Sequence, residues 1–328
     1  MRLALPVLTL PVLALPVLAM CLAASPAVAA PKVIASVVPV YGIVSAVMGE
    51  TGQPELLLSG TMSEHRATFT PQQIAGMGKA DVVFIIGQGL EAKLSQISGS
   101  EAVNGKRFVE LSSAPGVTTH PVREGGAWEA HDHDHGHDHD HDHGHDHGHG
   151  EAAEGVLSFD PHVWLDPANA KAMAAAVAAE LAKADPANAA AYTANAENFA
   201  RSLDTLSDEI AADLAPVKTV PYVVFHDAYQ YFEKRFGLAA AGSISDVSAA
   251  APSAKRLREV RRKIADVKAA CVFREPQFDS KVVQTVIEGT GAREGTLDPI
   301  GAGITPGPGA YQQLLKDLSK NLKACLTG

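Results

Sequence analysis

Residues 187–214 read ANAAAYTANAENFARSLDTLSDEIAADL, and Tyr192, Phe199, Leu203, Leu206 and Ile210 fall roughly on one stripe at helical spacing. A helix of that length runs about 40 Å at 1.5 Å per residue, long enough to act as a strut between two lobes. An alanine-rich helix precedes it over residues 169–183 (NAKAMAAAVAAELAK) and stops near Asp185-Pro186. Outward from this helical middle, both flanks alternate short β-rich apolar runs with helical stretches, the α/β signature. Upstream, strands are expected at 32–38 (KVIASVV), 55–58, 81–86 (DVVFII) and 107–111, with helices at 41–48, 71–78 and 91–97. Downstream, strands at 222–225, 239–243, 271–273 and 295–297 alternate with helices at 229–236, 253–266, 281–289 and 311–325. The expected fold is α/β: two lobes, each a small mostly parallel sheet flanked by helices, at 30–165 and 215–328. The helical segment 166–214 joins them through its long helix.

Residues 1–29 stand apart from this pattern. Met1-Arg2, an apolar run over 3–24 and the small residues Ala27-Val28-Ala29 make an n-region, an h-region and an A-x-A cleavage site. A membrane anchor is the alternative, but the run is barely long enough to span and contains Pro6, Pro11 and Pro16. Cys21 raises lipidation, against which Met20 is a poor preceding residue. The mature chain is therefore expected outside the cytoplasm, in the periplasm. The formal net charge of −10 over the full sequence and the lack of any basic stripe interleaved with aromatics argue against nucleic acid as a partner. Cys271 and Cys325 remain after export; in an oxidising compartment they read as a disulfide, with two buried thiols as the alternative.

Periodicity stops over residues 112–158, where almost nothing apolar is available for a core. Within it, His131, His133, His135, His137, His139, His141, His143, His145, His147 and His149 occupy every second position, separated by Asp or Gly. A flexible loop of this composition is a multi-site, exchangeable chelator, expected to gather zinc weakly as an auxiliary collector or sensor. His120 lies in the same stretch and receives no tight-site role.

Three of the remaining histidines stand where functional residues of open α/β sheets stand, at or near strand carboxyl ends. His226 follows YVVF, His65 lies beside Glu64 in the loop after LLL, and His162 lies in FDPHVWLDP. Asp298, directly after GTL, is a fourth candidate. Any one of these histidines alone reads more simply as a satisfied surface or core residue, but that reading has to hold three times over.

The segments SEHRATFTPQQI, KADVVFIIGQGLE, FDPHVWLDPANA, VVFHDAYQYFEKRFGL, APSAKRLREV, VFREPQFDSK and GTLDPIG occur in order over nearly the whole mature chain. Together they resemble the metal-binding proteins of ABC uptake systems for zinc and manganese, most of all the zinc branch. The resemblance implies two lobes, one metal in the cleft between them, and delivery of that metal to a membrane permease. It implies His65, His162 and His226 as ligands, with the last metal-facing position falling on Asp298. Manganese-type members tend to have Glu where His226 stands, so a third imidazole favours zinc, and the Cys271/Cys325 pair also fits the zinc branch. The EHR loop departs from the PH of many relatives, so Glu64 competes with Asp298 or water for the fourth place.

Three neutral imidazoles and one oxygen form a four-coordinate, borderline-soft site suited to zinc as cargo. The expected protein is a monomeric carrier rather than an enzyme. Another divalent metal, manganese among them, is the near alternative. A zinc-dependent hydrolase is a further one, since three histidines plus water is also a catalytic pattern. Gly87-Gln88-Gly89 with Ala92, and Glu110 beyond, also matches a dinucleotide fingerprint, a weak signal when alone.

Overall fold

The computed structural model describes residues 30–60, 62–87, 89–103, 105–123 and 157–328. The expected signal over 1–29 and the histidine tract over 131–149 lie outside the described residues. Strands β1 (Val33–Ala35), β2 (Glu55–Leu56), β3 (Val82–Ile85) and β4 (Arg107–Glu110) form one parallel sheet in the order β2-β1-β3-β4. Strands β5 (Tyr222–Val223), β6 (Cys271–Arg274) and β7 (Arg293–Thr296) form a second parallel sheet in that order. The helices are α1 (Val38–Met48), α2 (Pro71–Met77), α3 (Ala92–Ser98), α4 (Pro167–Ala184), α5 (Ala189–Leu214), α6 (Gln230–Phe236), α7 (Ala254–Val267), α8 (Lys281–Ile287) and α9 (Ala310–Thr327). Among the described residues no helix is long and apolar enough to cross a membrane.

Parallel strands covered on both faces have to be apolar throughout, and VVFI in β3 is wholly buried. Its period of two divides the core. Val82 and Phe84 face the main cluster, which also holds α1, α5 and α9 side chains. Val83 and Ile85 face an outer cluster with Met77, Leu94 and Val103. Strand β6 does the same, with Cys271 and Phe273 inward and Val272 outward beside Val260 and Ile264. The expected strand over 239–243 reduces to a single bridge, Val224 to Ser243. Its sequence AAAGS has no β-branched or aromatic side chain to sustain a longer pairing.

The first strand is shorter than expected and the first helix longer. Pro39 explains both, because it sits in the first turn of α1, where a missing N–H removes no helical bond. Every residue of α1 except Ala46 is buried. Gly42 lets α9 approach closely: a Cβ there would stand 2.6 Å from the Tyr311 backbone nitrogen. Gly42→Ala therefore overpacks this crossing and should destabilise the apo chain by about 1–3 kcal/mol, read from denaturant unfolding.

Helix α5 buries Tyr192, Ala196, Phe199, Leu203, Leu206, Ile210 and Leu214 on one face. It packs on α1, α4, α6 and α9, so it spans material from both halves. The disulfide Cys271–Cys325, with Cα atoms 6.2 Å apart, ties the start of β6 to the end of α9 and removes the free-thiol alternative.

Residues 112–123, the described start of the stretch expected to be structureless, are held by polar contacts. Asn169 exchanges two hydrogen bonds with the Thr118 backbone. The His120 N–H donates to the Tyr231 hydroxyl at 3.0 Å. Arg123 pairs with Asp227 and Glu233. Polar partners supplied by α4 and the second half hold this strap, which is why apolar periodicity could not reveal it.

Candidate metal centre

Three irregular segments bring the site together. Glu64 and His65 lie on a 3-10 turn (Glu64–Arg66) after β2. His226 stands three residues beyond β5, and His162 caps a 3-10 turn (Val163–Leu165) in the segment leading into α4. That last segment is clamped from the second half. Trp164 Nε1 donates to the Pro299 carbonyl at 2.8 Å, and the Tyr311 hydroxyl donates to the Trp164 carbonyl at 2.6 Å. The Tyr231 hydroxyl donates to the Asp160 carbonyl, also at 2.6 Å.

Glu64, His65, His162 and His226 each offer one ligand atom, all within 4.8 Å of one another. The imidazole centroids are 5.1 to 5.7 Å apart. His162 Nδ1 lies 2.7 Å from Asp160 Oδ1, and His226 Nδ1 lies 2.7 Å from Glu275 Oε2. Each carboxylate accepts from Nδ1 and leaves Nε2 as the lone-pair nitrogen, the arrangement that orients metal-binding histidines. The two Nε2 atoms are 3.2 Å apart. Neighbouring ligands of a tetrahedral zinc ion, at Zn–N distances of about 2.0–2.1 Å, are separated by about 3.3 Å. Two such lone pairs facing each other repel unless a proton or a cation lies between them. His65 Nε2 is 3.6 Å from Glu64 Oε1 and, though buried, has no hydrogen-bond partner.

Burial sets the charge of this site. It pushes His65 and His162 well below the usual histidine range, and the neighbouring imidazoles add to the effect. Burial opposes the imidazolium of His226 too, but the Glu275 carboxylate outweighs it and holds this pKa up at about 9. Burial lifts Glu64 to about 7 and Asp160 to about 7. A proton on His226 or a cation between the rings would relieve the repulsion of the two Nε2 lone pairs.

Asp298, the other candidate for a fourth ligand, is outside this group. Its Oδ1 accepts from Gln277 Nε2 at 2.8 Å and from the Gly301 N–H at 2.9 Å, and its Oδ2 accepts from the Ala302 N–H at 2.6 Å. The carboxylate is engaged by the turn after β7, whereas Glu64 lies in the group with the three imidazoles. The ring of His120 lies against Tyr231, with centroids 4.8 Å apart, and takes no part in the cluster. In the Gly87–Gly89 turn, the Gly87 N–H that a dinucleotide phosphate would need donates to the buried Glu91 carboxylate at 2.9 Å.

Asp160 and Glu275 are the functional residues that sequence reasoning missed. Both lie in segments already singled out, FDPH and FREP. Asking which carboxylate could orient each histidine would have found Asp160, two residues before His162. Nothing local points from His226 to Glu275, 49 residues away. Loss of such an orienting carboxylate typically costs 10- to 100-fold in metal affinity. Glu275→Gln should therefore weaken zinc binding by about that factor in a chelator competition, with stoichiometry unchanged.

Comparison with known proteins places this geometry in a family. The chain matches the family described as "Zinc-uptake complex component A periplasmic" over residues 33–325. It is 47% identical over 305 residues to the high-affinity zinc uptake system protein ZnuA of Brucella suis biovar 1 (strain 1330), covering 90% of this chain and 91% of the relative. It is 40% identical over 302 residues to the same-named protein of Paracoccus denitrificans (strain Pd 1222), covering 89% and 91%. A crystal structure of ZnuA shares the fold, with a TM-score of 0.73 at 24% identity over 90% of this chain and 99% of that one. The chain belongs to the family of periplasmic A components of zinc-uptake complexes.

Proposed function

We propose that the protein captures one zinc ion in the periplasm through Glu64, His65, His162 and His226 and delivers it, as a monomer, to the permease of an ABC importer. The observation that carries this reading is the pair of Nε2 atoms 3.2 Å apart, each ring held from behind by a carboxylate. The names of the relatives, high-affinity zinc uptake proteins, support the same cargo. Three imidazoles and one carboxylate favour zinc over manganese, which prefers oxygen-rich octahedral sites. A set of four protein ligands also favours carriage over hydrolysis, because catalytic zinc keeps an open position. The lobes at 30–165 and 215–328 then act as the two jaws, with α5 as the strut.

The histidine tract fits as an auxiliary collector. Residues 124–156 carry ten acidic side chains and no Lys or Arg, as large a charge as the net −10 of the whole chain. Interleaved with imidazoles, they attract divalent cations and raise the local zinc concentration beside the tight site. Zinc titration of the full chain should find one tight ion and several weak ones. Deleting residues 131–149 should remove the weak ions and leave the tight one. A full chain without a tight ion would overturn the carrier reading, and an unchanged number of weak ions after deletion would overturn the collector.

A further inference from the structure

The residue after His65 is Arg66, and zinc ligation makes no use of its guanidinium. Its Nη2 donates to the carbonyl of Ala249 at 2.9 Å, joining positions 183 residues apart. The accepting loop, residues 245–250 (SDVSAA), belongs to the second half and is wound tightly around Asp246. One Asp246 carboxylate oxygen accepts from the Ser248 N–H at 3.0 Å, the Ser248 hydroxyl at 2.7 Å and the Ala250 N–H at 3.2 Å. The Asp246 carbonyl accepts from the Ala249 N–H at 3.1 Å and, at 3.4 Å, from the N–H of Asp227, the neighbour of His226. Ala249 is held at φ 54°, the left-handed region that a Cβ disfavours. Such strain persists only where the surroundings over-determine it, and it clusters at clamps and switch regions. Here it turns a buried residue's carbonyl toward the turn that bears Glu64 and His65.

We infer that Arg66 is a positioning residue for metal retention: it clasps the His65 turn of the first half to the strained 245–250 loop of the second. The inference rests on Glu64, His65, His162 and His226 holding the zinc. The ion draws the three segments together, and the clasp then slows their separation. Association is unaffected, because the bond forms only once the turn and the loop are adjacent. A hydrogen bond from a charged donor at a partly exposed position slows dissociation by about tenfold.

Zinc loss into excess chelator, followed by stopped flow on the full chain, tests this. Wild type should hold one tight zinc. Arg66→Ala should release it about tenfold faster, with the association rate and the tight stoichiometry unchanged. Arg66→Lys should restore part of the difference, since an ammonium can still donate to a carbonyl. Asp246→Ala, which frees the loop from its strained shape, should reproduce the Arg66→Ala rate. The double variant should be no faster than the faster single one, because both changes break the same bond. Release from Arg66→Ala at the wild-type rate, or fully multiplicative effects in the double variant, would overturn the clasp while leaving the zinc site standing. A wild-type chain with no tight zinc would overturn the site and the clasp together.

Discussion

The His226→Ala chain is expected to bind zinc about two to three orders of magnitude more weakly than wild type. Zinc held by four protein ligands is worth about 10–16 kcal/mol in small structural sites, or about 2.5–4 kcal/mol per ligand. A factor of ten corresponds to about 1.4 kcal/mol, which gives the stated range. His226 is the appropriate residue to remove because it offers Nε2 3.2 Å from that of His162 while Glu275 fixes its other nitrogen. Competition against a chelator of known affinity reads the loss, and a thermal melt of the metal-free variant separates it from unfolding. His120→Ala, whose ring rests on Tyr231, should change the tight affinity by less than about twofold, within the range of a contact remote from the ion. Equal affinity in wild type and His226→Ala would mean that the ion is held elsewhere.

The second large effect is with pH. Zinc requires the unprotonated forms of its ligands, so any ligand protonated without metal weakens binding as pH falls through its pKa. His226, held up at about 9 by Glu275 against the opposing effect of burial, is already protonated at neutral pH. Binding then displaces about one proton, and affinity falls about tenfold per pH unit from 9 downward. Glu64, lifted by burial to about 7, adds a second proton below neutrality and doubles the logarithmic slope. Together they predict a loss of about three orders of magnitude between pH 8 and pH 6. His65 and His162, pushed well below the ordinary range, contribute only in stronger acid. Reference histidine values alone would place the decline between pH 7 and 5. The buried environment moves its onset upward. Proton release measured by calorimetry in buffers of different ionisation enthalpy checks the count at pH 8, and a flat affinity between pH 8 and 6 would refute it.

Much of this architecture was legible because its cause is local. The apolar stripe from Tyr192 to Ile210 announced α5, and the unbroken run DVVFII announced a strand covered on both faces. Strand carboxyl ends and the loops there point to His65, His162 and His226 as candidates, and the resemblance implies all three as ligands. The rest depends on partners distant in sequence. Asp298 is a candidate fourth ligand by the resemblance and by its place after a strand, yet its own turn supplies N–H donors to its carboxylate. Glu64, the alternative, is buried beside His65, where desolvation lifts its carboxyl to about 7. The strap over residues 112–123 carries too few apolar side chains to show a period, and its order comes from Asn169, Tyr231, Asp227 and Glu233. The left-handed Ala249 has no signal in sequence at all, since only Gly or Asn would have advertised that backbone.

The proposed carrier holds a single zinc ion jointly between its two halves. A crystal structure of the zinc-loaded chain, with anomalous data collected on both sides of the zinc edge, would locate that ion. One strong anomalous peak is expected within bonding distance of Nε2 of His162, Nε2 of His226, an imidazole nitrogen of His65 and a carboxylate oxygen of Glu64, with Asp298 still bonded to its own turn. A peak bound by Asp298 in place of Glu64, or no peak among the three imidazoles, would contradict it.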